Sequence, residues 1–137
     1  MINYILLIPL LIHIESSGRD YVVGDNGTAV GCLQITAGVI EDVNRIYKTD
    51  YTKEDCYNRK TSSDICIKYL SYWLEKAVQR EQAEIYNPYE MACRIWNGGP
   101  RGYQKESTEV YWEKIKRRAK EVEAYDVTNY KISNDRC

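Results

Sequence analysis

Two carboxylates lie ten residues apart in the chain, and their surroundings differ. Glu15 follows a strongly apolar run that fills the first fourteen residues, whereas Asp25 lies in the loop GDNG at residues 24–27. Burial disfavours the charged form of a carboxyl group and raises its pKa, so Glu15 is a candidate general acid. An ionised Asp25 would complete the pair that glycoside hydrolysis uses. Each residue alone also fits an ordinary role, Glu15 as an exposed helix end and Asp25 in an Asx-turn.

Two further stretches contain residues suited to holding a ligand. Gln34 lies between apolar neighbours in GCLQI, and a buried amide needs hydrogen-bond partners, either from a sugar or from the protein core. In RIWNGGPRG, Trp96 has an aromatic face, Asn97 can donate and accept, and Gly98 allows close approach of a ligand. The glycines are equally typical of a capped helix end.

Helices must position most of these residues, because apolar residues recur along the chain at helical spacing. An apolar first helix is predicted over residues 2–16. Capping residues predict the starts of four more helices at Thr36, at Ser62 or Ser63, at Asn87 followed by Pro88, and at Ser107 or Thr108.

The segment after the first helix has a different composition. Residues 18–35 are rich in Gly, Asp, Asn and β-branched residues, with short apolar pieces on either side of the GDNG turn. This pattern predicts a small β-hairpin region near residues 20–35. The whole chain is therefore predicted to be a helix-dominated α+β fold in a single domain, residues 1–137.

The charge balance argues against nucleic acid as a partner. Lys and Arg number 19, Asp and Glu number 20, and the net charge is −1, whereas polyanion binders usually show a basic excess. The densest basic cluster, at residues 114–120, is interleaved with acids, which is typical of a solvated helix face. Thirteen Tyr, three Trp and no Phe give every aromatic side chain a polar group, which suits a carbohydrate surface as well as a core.

Five cysteines and one histidine show no C-x₂-C spacing, so we predict neither a metal site nor a cofactor. Cys56 and Cys66 are the nearest pair if a disulfide forms. The apolar N-terminal run is too short to span a bilayer and lacks the flanks of a signal peptide. It therefore predicts a buried helix and no stable membrane insertion. A cysteine hydrolase using Cys32 and His13 lacks an evident third residue.

Taken in order, the motifs resemble the lysozyme-like superfamily. The front half is similar to both soluble lytic transglycosylases and invertebrate-type (destabilase) lysozymes, and the NGGPxG stretch is most similar to the latter. The matching motifs are ESSG at 15–18, GDNG at 24–27, GCLQI at 31–35, RIWNGGPRG at 94–102 and STEVYW at 107–112.

The resemblance implies a lysozyme-like fold and cleavage of the β-1,4 bond after N-acetylmuramic acid in peptidoglycan. Glu15 corresponds to the catalytic acid. Asp25 corresponds to the second carboxylate of the invertebrate-type lysozymes, although it lies one residue closer to the following glycine. The residues expected to bind the glycan are Gln34, Trp96, Asn97 and Gly98, and transglycosylases usually have Tyr where Trp96 stands.

Three functions stay open at this point. A lysozyme would hydrolyse the bond with Glu15 and Asp25. A lytic transglycosylase would use Glu15 alone, and the muramic 6-hydroxyl would attack to leave a 1,6-anhydro end. A non-catalytic glycan-binding module would bind without turnover.

The resemblance also implies where the protein acts and on what. We expect peptidoglycan glycan strands as the partner, and we expect the protein to act as a monomer. Its site of action would be the bacterial cell wall, in the periplasm or outside the cell. The low cysteine content favours a bacterial or phage member of the superfamily.

Overall fold

The computed structural model describes residues 2–81 and 87–130. This part of the chain is dominated by helices and contains one small antiparallel sheet, so the predicted helix-dominated α+β class is confirmed. The helices are α1 (Tyr4–Ser16), α2 (Ala37–Tyr47), α3 (Arg59–Glu81), α4 (Pro88–Gly98), α5 (Glu109–Glu121) and α6 (Tyr125–Thr128). The strands are β1 (Val23–Gly24), β2 (Ala29–Val30) and β3 (Ile35–Thr36).

The sheet lies where the sequence predicts a hairpin, but it has a third strand. Val30 in the middle strand pairs with Val23 of β1 and with Ile35 of β3, both in antiparallel register. The return from β2 to β3 uses Gly31, whose φ of 81° lies in the left-handed region that glycine adopts without strain. Its N–H donates to the carbonyl of Val22 at 2.8 Å. The extra strand follows from this tight turn.

The chain divides into two compact units, and the boundaries fall within α1 and within α3. We call residues 11–71 the sheet unit, and the described residues of 1–10 and 72–137 the helical unit. Both contain fully buried apolar side chains, among them Leu11, Leu33, Ile65 and Leu70 in the sheet unit and Leu7, Ile95 and Ile115 in the helical unit. A single domain over residues 1–137 stays a prediction.

The first helix is buried as predicted. Leu7, Leu10 and Leu11 are almost inaccessible to solvent. The helix begins after Asn3, whose side-chain oxygen accepts the N–H of Ile5 at 3.0 Å, which is a typical N-terminal cap. Within residues 2–81 and 87–130, no helix is both long and apolar enough to cross a bilayer.

The predicted start of α3 at residue 62 or 63 is wrong. Asn58 caps the helix instead, because its side-chain oxygen accepts the N–H of Thr61 at 3.0 Å. Ser62 therefore lies inside the first turns of α3. Its hydroxyl does not cap the helix. It donates instead to the carbonyl of Cys56, in the preceding 3₁₀ turn, at 2.6 Å.

The fourth helix follows its predicted bounds. Asn87 accepts the N–H of Tyr89 at 2.9 Å, and Pro88 occupies the first helical position. The helix ends at Gly98, and Gly99 takes a φ of 89° while its N–H donates to Ile95 at 2.8 Å. This is the glycine-capped end that the sequence indicates.

The last long helix, α5, buries one apolar face. Tyr111, Trp112, Ile115 and Ala119 are buried, whereas Val122 is exposed. The helix ends at Glu121, so Val122 lies beyond the last regular turn. On the solvent side, Lys116 pairs with Glu113 at 2.7 Å, as expected for a face of interleaved charges.

Candidate functional site

Glu15 is the penultimate residue of α1 and is half-buried. Leu11 and Ile12, one turn earlier, are buried, so the carboxyl group lies where the apolar helix meets solvent. The C-terminal end of a helix carries the negative pole of its dipole, which disfavours a carboxylate anion nearby. Position and dipole together suit a carboxyl group that must donate a proton.

Ser16 fixes the backbone directly after Glu15. This buried serine donates through its hydroxyl to the carbonyl of Ile12 at 3.1 Å and accepts the N–H of Arg19 at 3.2 Å. The Arg19 side chain returns a hydrogen bond from Nε to the Ser16 carbonyl at 2.9 Å. Hydrogen bonds centred on Ser16 therefore hold the turn that leaves the helix, a role that the ESSG motif did not predict.

A second clamp holds the same turn from α3. Arg59 Nε donates to Asp20 Oδ1 at 2.9 Å, and its Nη2 donates to the carbonyl of Gly18. The hydrogen bond that Arg59 donates to the Asp20 carboxylate raises the pKa of the guanidinium. No sequence signal indicated this pair, because the two residues lie 39 positions apart and each is an ordinary surface charge in isolation.

Asp25 is exposed and opens the 3₁₀ turn Asp25–Gly27 between β1 and β2. Its φ is 49°, in the left-handed region that non-glycine residues rarely adopt. The turn is closed by its backbone carbonyl, which accepts from the N–H of Thr28 at 3.2 Å and from the Thr28 hydroxyl at 2.7 Å. Within the described ranges the Asp25 carboxylate accepts no hydrogen bond, so the Asx-turn explanation does not apply.

Gln34 is half-buried and held in one orientation. Its Nε2 donates to the carbonyl of Val22 at 3.1 Å and to that of Gly31 at 3.0 Å. Both amide hydrogens are therefore used by the backbone, and the side chain can offer a ligand only its oxygen as an acceptor. That oxygen lies directly against the α-carbon of Gly24, where a β-carbon would overlap it. The backbone of Gln34 adopts a left-handed φ of 51° in this orientation.

The sheet unit thus contains three of the predicted site residues, namely Glu15, Asp25 and Gln34. Gln34 and Asp25 are neighbours in space, because the side-chain oxygen of Gln34 contacts Gly24, the residue before Asp25.

The other three predicted residues belong to the helical unit, at the end of α4. Asn97 is exposed and Gly98 is half-buried. Trp96 is buried, with 9% of its surface accessible, because it lies on the apolar face of the helix with Ala92 and Ile95. This burial leaves little of the indole for stacking on a sugar, and its role as a binding residue stays a prediction.

Arg94 anchors the segment that follows α4. Its guanidinium is largely buried and donates to Thr108 Oγ1 at 2.9 Å, to Glu90 Oε2 at 2.9 Å and to the carbonyl of Lys105 at 2.8 Å. Charge-assisted hydrogen bonds of this kind are the stronger ones in proteins. The network ties the loop to the helix that presents Asn97.

Two further contacts close this loop. The buried hydroxyl of Thr108 donates toward the carbonyl of Gly102 at 2.7 Å, and Lys105 Nζ donates to the carbonyl of Gly98 at 2.6 Å. The α-carbon of Gly102 packs against the carbonyl of Arg94 so closely that only glycine fits. Arg94 and Thr108 stood inside the recognised motifs, but their pairing across fourteen positions was not predicted.

The buried thiols argue against cysteine chemistry. Cys32 is fully buried, and burial raises its pKa, whereas a nucleophilic cysteine needs a lowered one. Cys56 is also buried and carries a free thiol, so the bridge to Cys66 is not formed.

Among the described residues, no group of three or more His, Cys, Asp or Glu side chains is arranged to hold a metal ion.

Comparison of the chain with protein-family models, with curated proteins and with solved structures gave no match.

Proposed function

We propose that this protein is a lysozyme that hydrolyses the β-1,4 bond between N-acetylmuramic acid and N-acetylglucosamine in peptidoglycan. The observation that carries the proposal is the position of Glu15. It ends an apolar, buried helix, it remains half-buried, and the turn after it is fixed by Ser16. A carboxyl group at this position, at the negative end of the helix dipole, is suited to protonate the glycosidic oxygen as the bond breaks.

Asp25 would supply the second carboxylate. It lies exposed in the turn between β1 and β2, and the nucleophile or charge stabiliser of a glycosidase is a carboxylate of this kind. An ionised carboxylate can stabilise the positive charge that develops on the sugar, or it can activate the attacking water. Two carboxyl groups in different environments can therefore take the acid role and the charged role.

Gln34 would orient the substrate. Because the backbone uses both of its amide hydrogens, its oxygen can only accept, for example from the N–H of an N-acetyl group or from a sugar hydroxyl. A rigid acceptor of this kind fixes the sugar without the entropy cost of ordering a flexible side chain.

Backbone strain supports a functional role for this region. Asp25 and Gln34 both adopt left-handed φ values, at 49° and 51°. Such conformations cost about 1 kcal/mol or more in residues other than glycine, and they cluster at functional sites. Both residues belong to the motifs that resemble the lysozyme-like superfamily, as do Ser17 and Asn26, whereas the other left-handed non-glycine residues of the described ranges, Lys48 and Glu123, come just after helices.

One observation favours a lytic transglycosylase as the second candidate. Within the described part of the chain, no hydrogen bond fixes the orientation of the Asp25 carboxylate. Catalytic groups are usually held in place by neighbouring residues. In a transglycosylase Glu15 would act first as acid and then as base, and the muramic 6-hydroxyl would attack.

Product analysis tests both candidates. Purified peptidoglycan is digested with the protein, and the released muropeptides are identified by mass spectrometry. Reducing N-acetylmuramic ends are expected for the lysozyme, and 1,6-anhydro ends would identify the transglycosylase. No release by a folded protein would contradict both, and retained binding to the same peptidoglycan would then identify a glycan-binding module. The cell wall as the place of action is part of the same proposal.

A further inference from the structure

Tyr21 is an aromatic side chain that the proposed mechanism does not use. It is 81% exposed, although it lies between the end of α1 and strand β1. One face of its ring stacks on Tyr57, with 6.1 Å between ring centroids and 22° between ring planes. A stacked ring is held at a fixed tilt, and its remaining surface is open to solvent.

The stack is built by the elements around it. On one side, Asp20 precedes Tyr21 and is bound by Arg59 Nε at 2.9 Å. On the other side, Tyr57 closes a 3₁₀ turn two residues before Arg59. The ion pair and the ring stack therefore join the same two segments side by side, which holds the Tyr21 ring against its partner.

The same segment is tied to Gln34. The carbonyl of Val22, the residue after Tyr21, accepts hydrogen bonds from Gln34 Nε2 at 3.1 Å and from the Gly31 N–H at 2.8 Å. The oxygen of Gln34 then rests on Gly24. Tyr21 and the acceptor oxygen of Gln34 thus belong to one hydrogen-bonded frame within the sheet unit.

Exposure alternates along this frame. Tyr21 and Val23 are exposed, whereas Val22 and Gly24 are half-buried. Val23 is 50% exposed. Two exposed apolar residues, Tyr21 and Val23, therefore precede the exposed turn that begins at Asp25.

We propose that Tyr21 is an aromatic platform on which a sugar ring of a β-1,4-linked N-acetylated glycan stacks, beside the acceptor oxygen of Gln34. This inference rests on the proposed function for the class of ligand. An open tyrosine face binds the apolar C–H face of a pyranose, and its hydroxyl can bond a sugar hydroxyl. A glycan is favoured over an acidic or basic partner because the charged residues that flank the stack, Asp20 and Arg59, are paired with each other.

Binding to a catalytically silent protein tests the platform. The Glu15→Gln variant is titrated with a hexamer of β-1,4-linked N-acetylglucosamine by calorimetry, with and without Tyr21→Ala. Affinity is expected to fall about threefold to tenfold on loss of the ring. Tyr21→Phe keeps the ring and should retain most of the affinity. Tyr125→Ala removes a tyrosine that is 50% exposed outside the sheet unit and should have no effect.

The outcomes separate the platform from the proposed reaction. Unchanged affinity in Tyr21→Ala, or no binding of the hexamer at all, would overturn the platform. Loss of self-association in Tyr21→Ala with unchanged glycan affinity would also overturn it and identify a protein interface. Tyr21-dependent binding in a wild-type protein that releases no muropeptides would support the platform while removing the proposed hydrolysis. Because Tyr21 is exposed, Tyr21→Ala should keep the wild-type melting temperature.

Discussion

The side-chain oxygen of Gln34 lies against the α-carbon of Gly24, and no β-carbon fits between them. Gly24 itself has an extended backbone, with φ at −117°, so the need for glycine here comes from the neighbouring amide and not from the backbone. The atom in the way is the end of a side chain, which can move. A substitution at Gly24 should therefore displace the Gln34 amide before it disturbs the sheet.

Gly24→Ala should reduce activity on peptidoglycan by about threefold to tenfold, the value of one hydrogen bond to the substrate. The melting temperature should change little. Gly38→Ala, in a helix where an added methyl group meets only ordinary contacts, is the matched control and should leave activity intact. Equal activity in Gly24→Ala and wild type would show that the Gln34 oxygen does not bind substrate.

Glu15→Gln should abolish lysis, because the amide cannot protonate the leaving oxygen. Removal of a general acid lowers the rate by about 10²- to 10⁴-fold. The measurement is muropeptide release at matched protein concentration, with circular dichroism to verify the fold. Glu41→Gln changes an exposed glutamate of α2 in the same unit and should behave as wild type. Substantial activity in Glu15→Gln would remove Glu15 as the acid.

Asp25→Asn separates the two candidate reactions. A hydrolase that depends on the charge of Asp25 should lose about a hundredfold or more in rate, whereas a transglycosylase should be spared. Since Asp25 is exposed, the variant should fold normally. Asp50→Asn, at another exposed aspartate of the sheet unit, is the control. Equal rates for Asp25→Asn and wild type, with reducing products, would exclude Asp25 from the chemistry.

Thr108→Val should destabilise the protein by about 1–3 kcal/mol, because the largely buried Arg94 guanidinium loses an acceptor and the Gly102 carbonyl loses a donor. Thr108→Ser keeps the hydroxyl and should cost less. Urea unfolding at neutral pH measures both variants. Equal destabilisation of the two variants would contradict this prediction, because it would show that the methyl group that packs on Gly98, which only Thr108→Ser removes, matters as much as the hydroxyl.

Stability should fall at alkaline pH because of the buried thiols. Burial raises the pKa of Cys56 from 9.0 to about 11. Between these values the folded thiol keeps a proton that the unfolded thiol has released, so the free energy of unfolding decreases as pH rises. Raising the pH from below 9 to above 11 should therefore remove about 3 kcal/mol of the free energy of unfolding through Cys56.

Urea unfolding at several pH values from 8 to 11 should show a smaller decline for Cys56→Ala than for wild type. Cys93, whose pKa burial also raises, and Tyr69, whose pKa burial raises to about 12, should preserve part of the slope in that variant. Identical pH slopes in Cys56→Ala and wild type would contradict a raised thiol pKa.

The sequence by itself determined the helices and their local signals. Asn87, Pro88 and the glycines after Trp96 predicted the bounds of α4 correctly, and the GDNG turn predicted the position of the sheet. These features depend on residues within one or two turns of each other, so capping and periodicity are readable from the chain. Which of several nearby capping residues starts a helix is harder to read from the chain, since Asn58 and not Ser62 caps α3.

Only the tertiary structure decided what each candidate side chain presents to a ligand. Trp96 is buried, Asp25 is exposed, and the amide of Gln34 is used by Val22 and Gly31. The stack of Tyr21 on Tyr57 and the pairing of Arg94 with Thr108 join residues far apart in the chain. Burial and side-chain orientation depend on such distant neighbours, and local sequence rules carry no information about them.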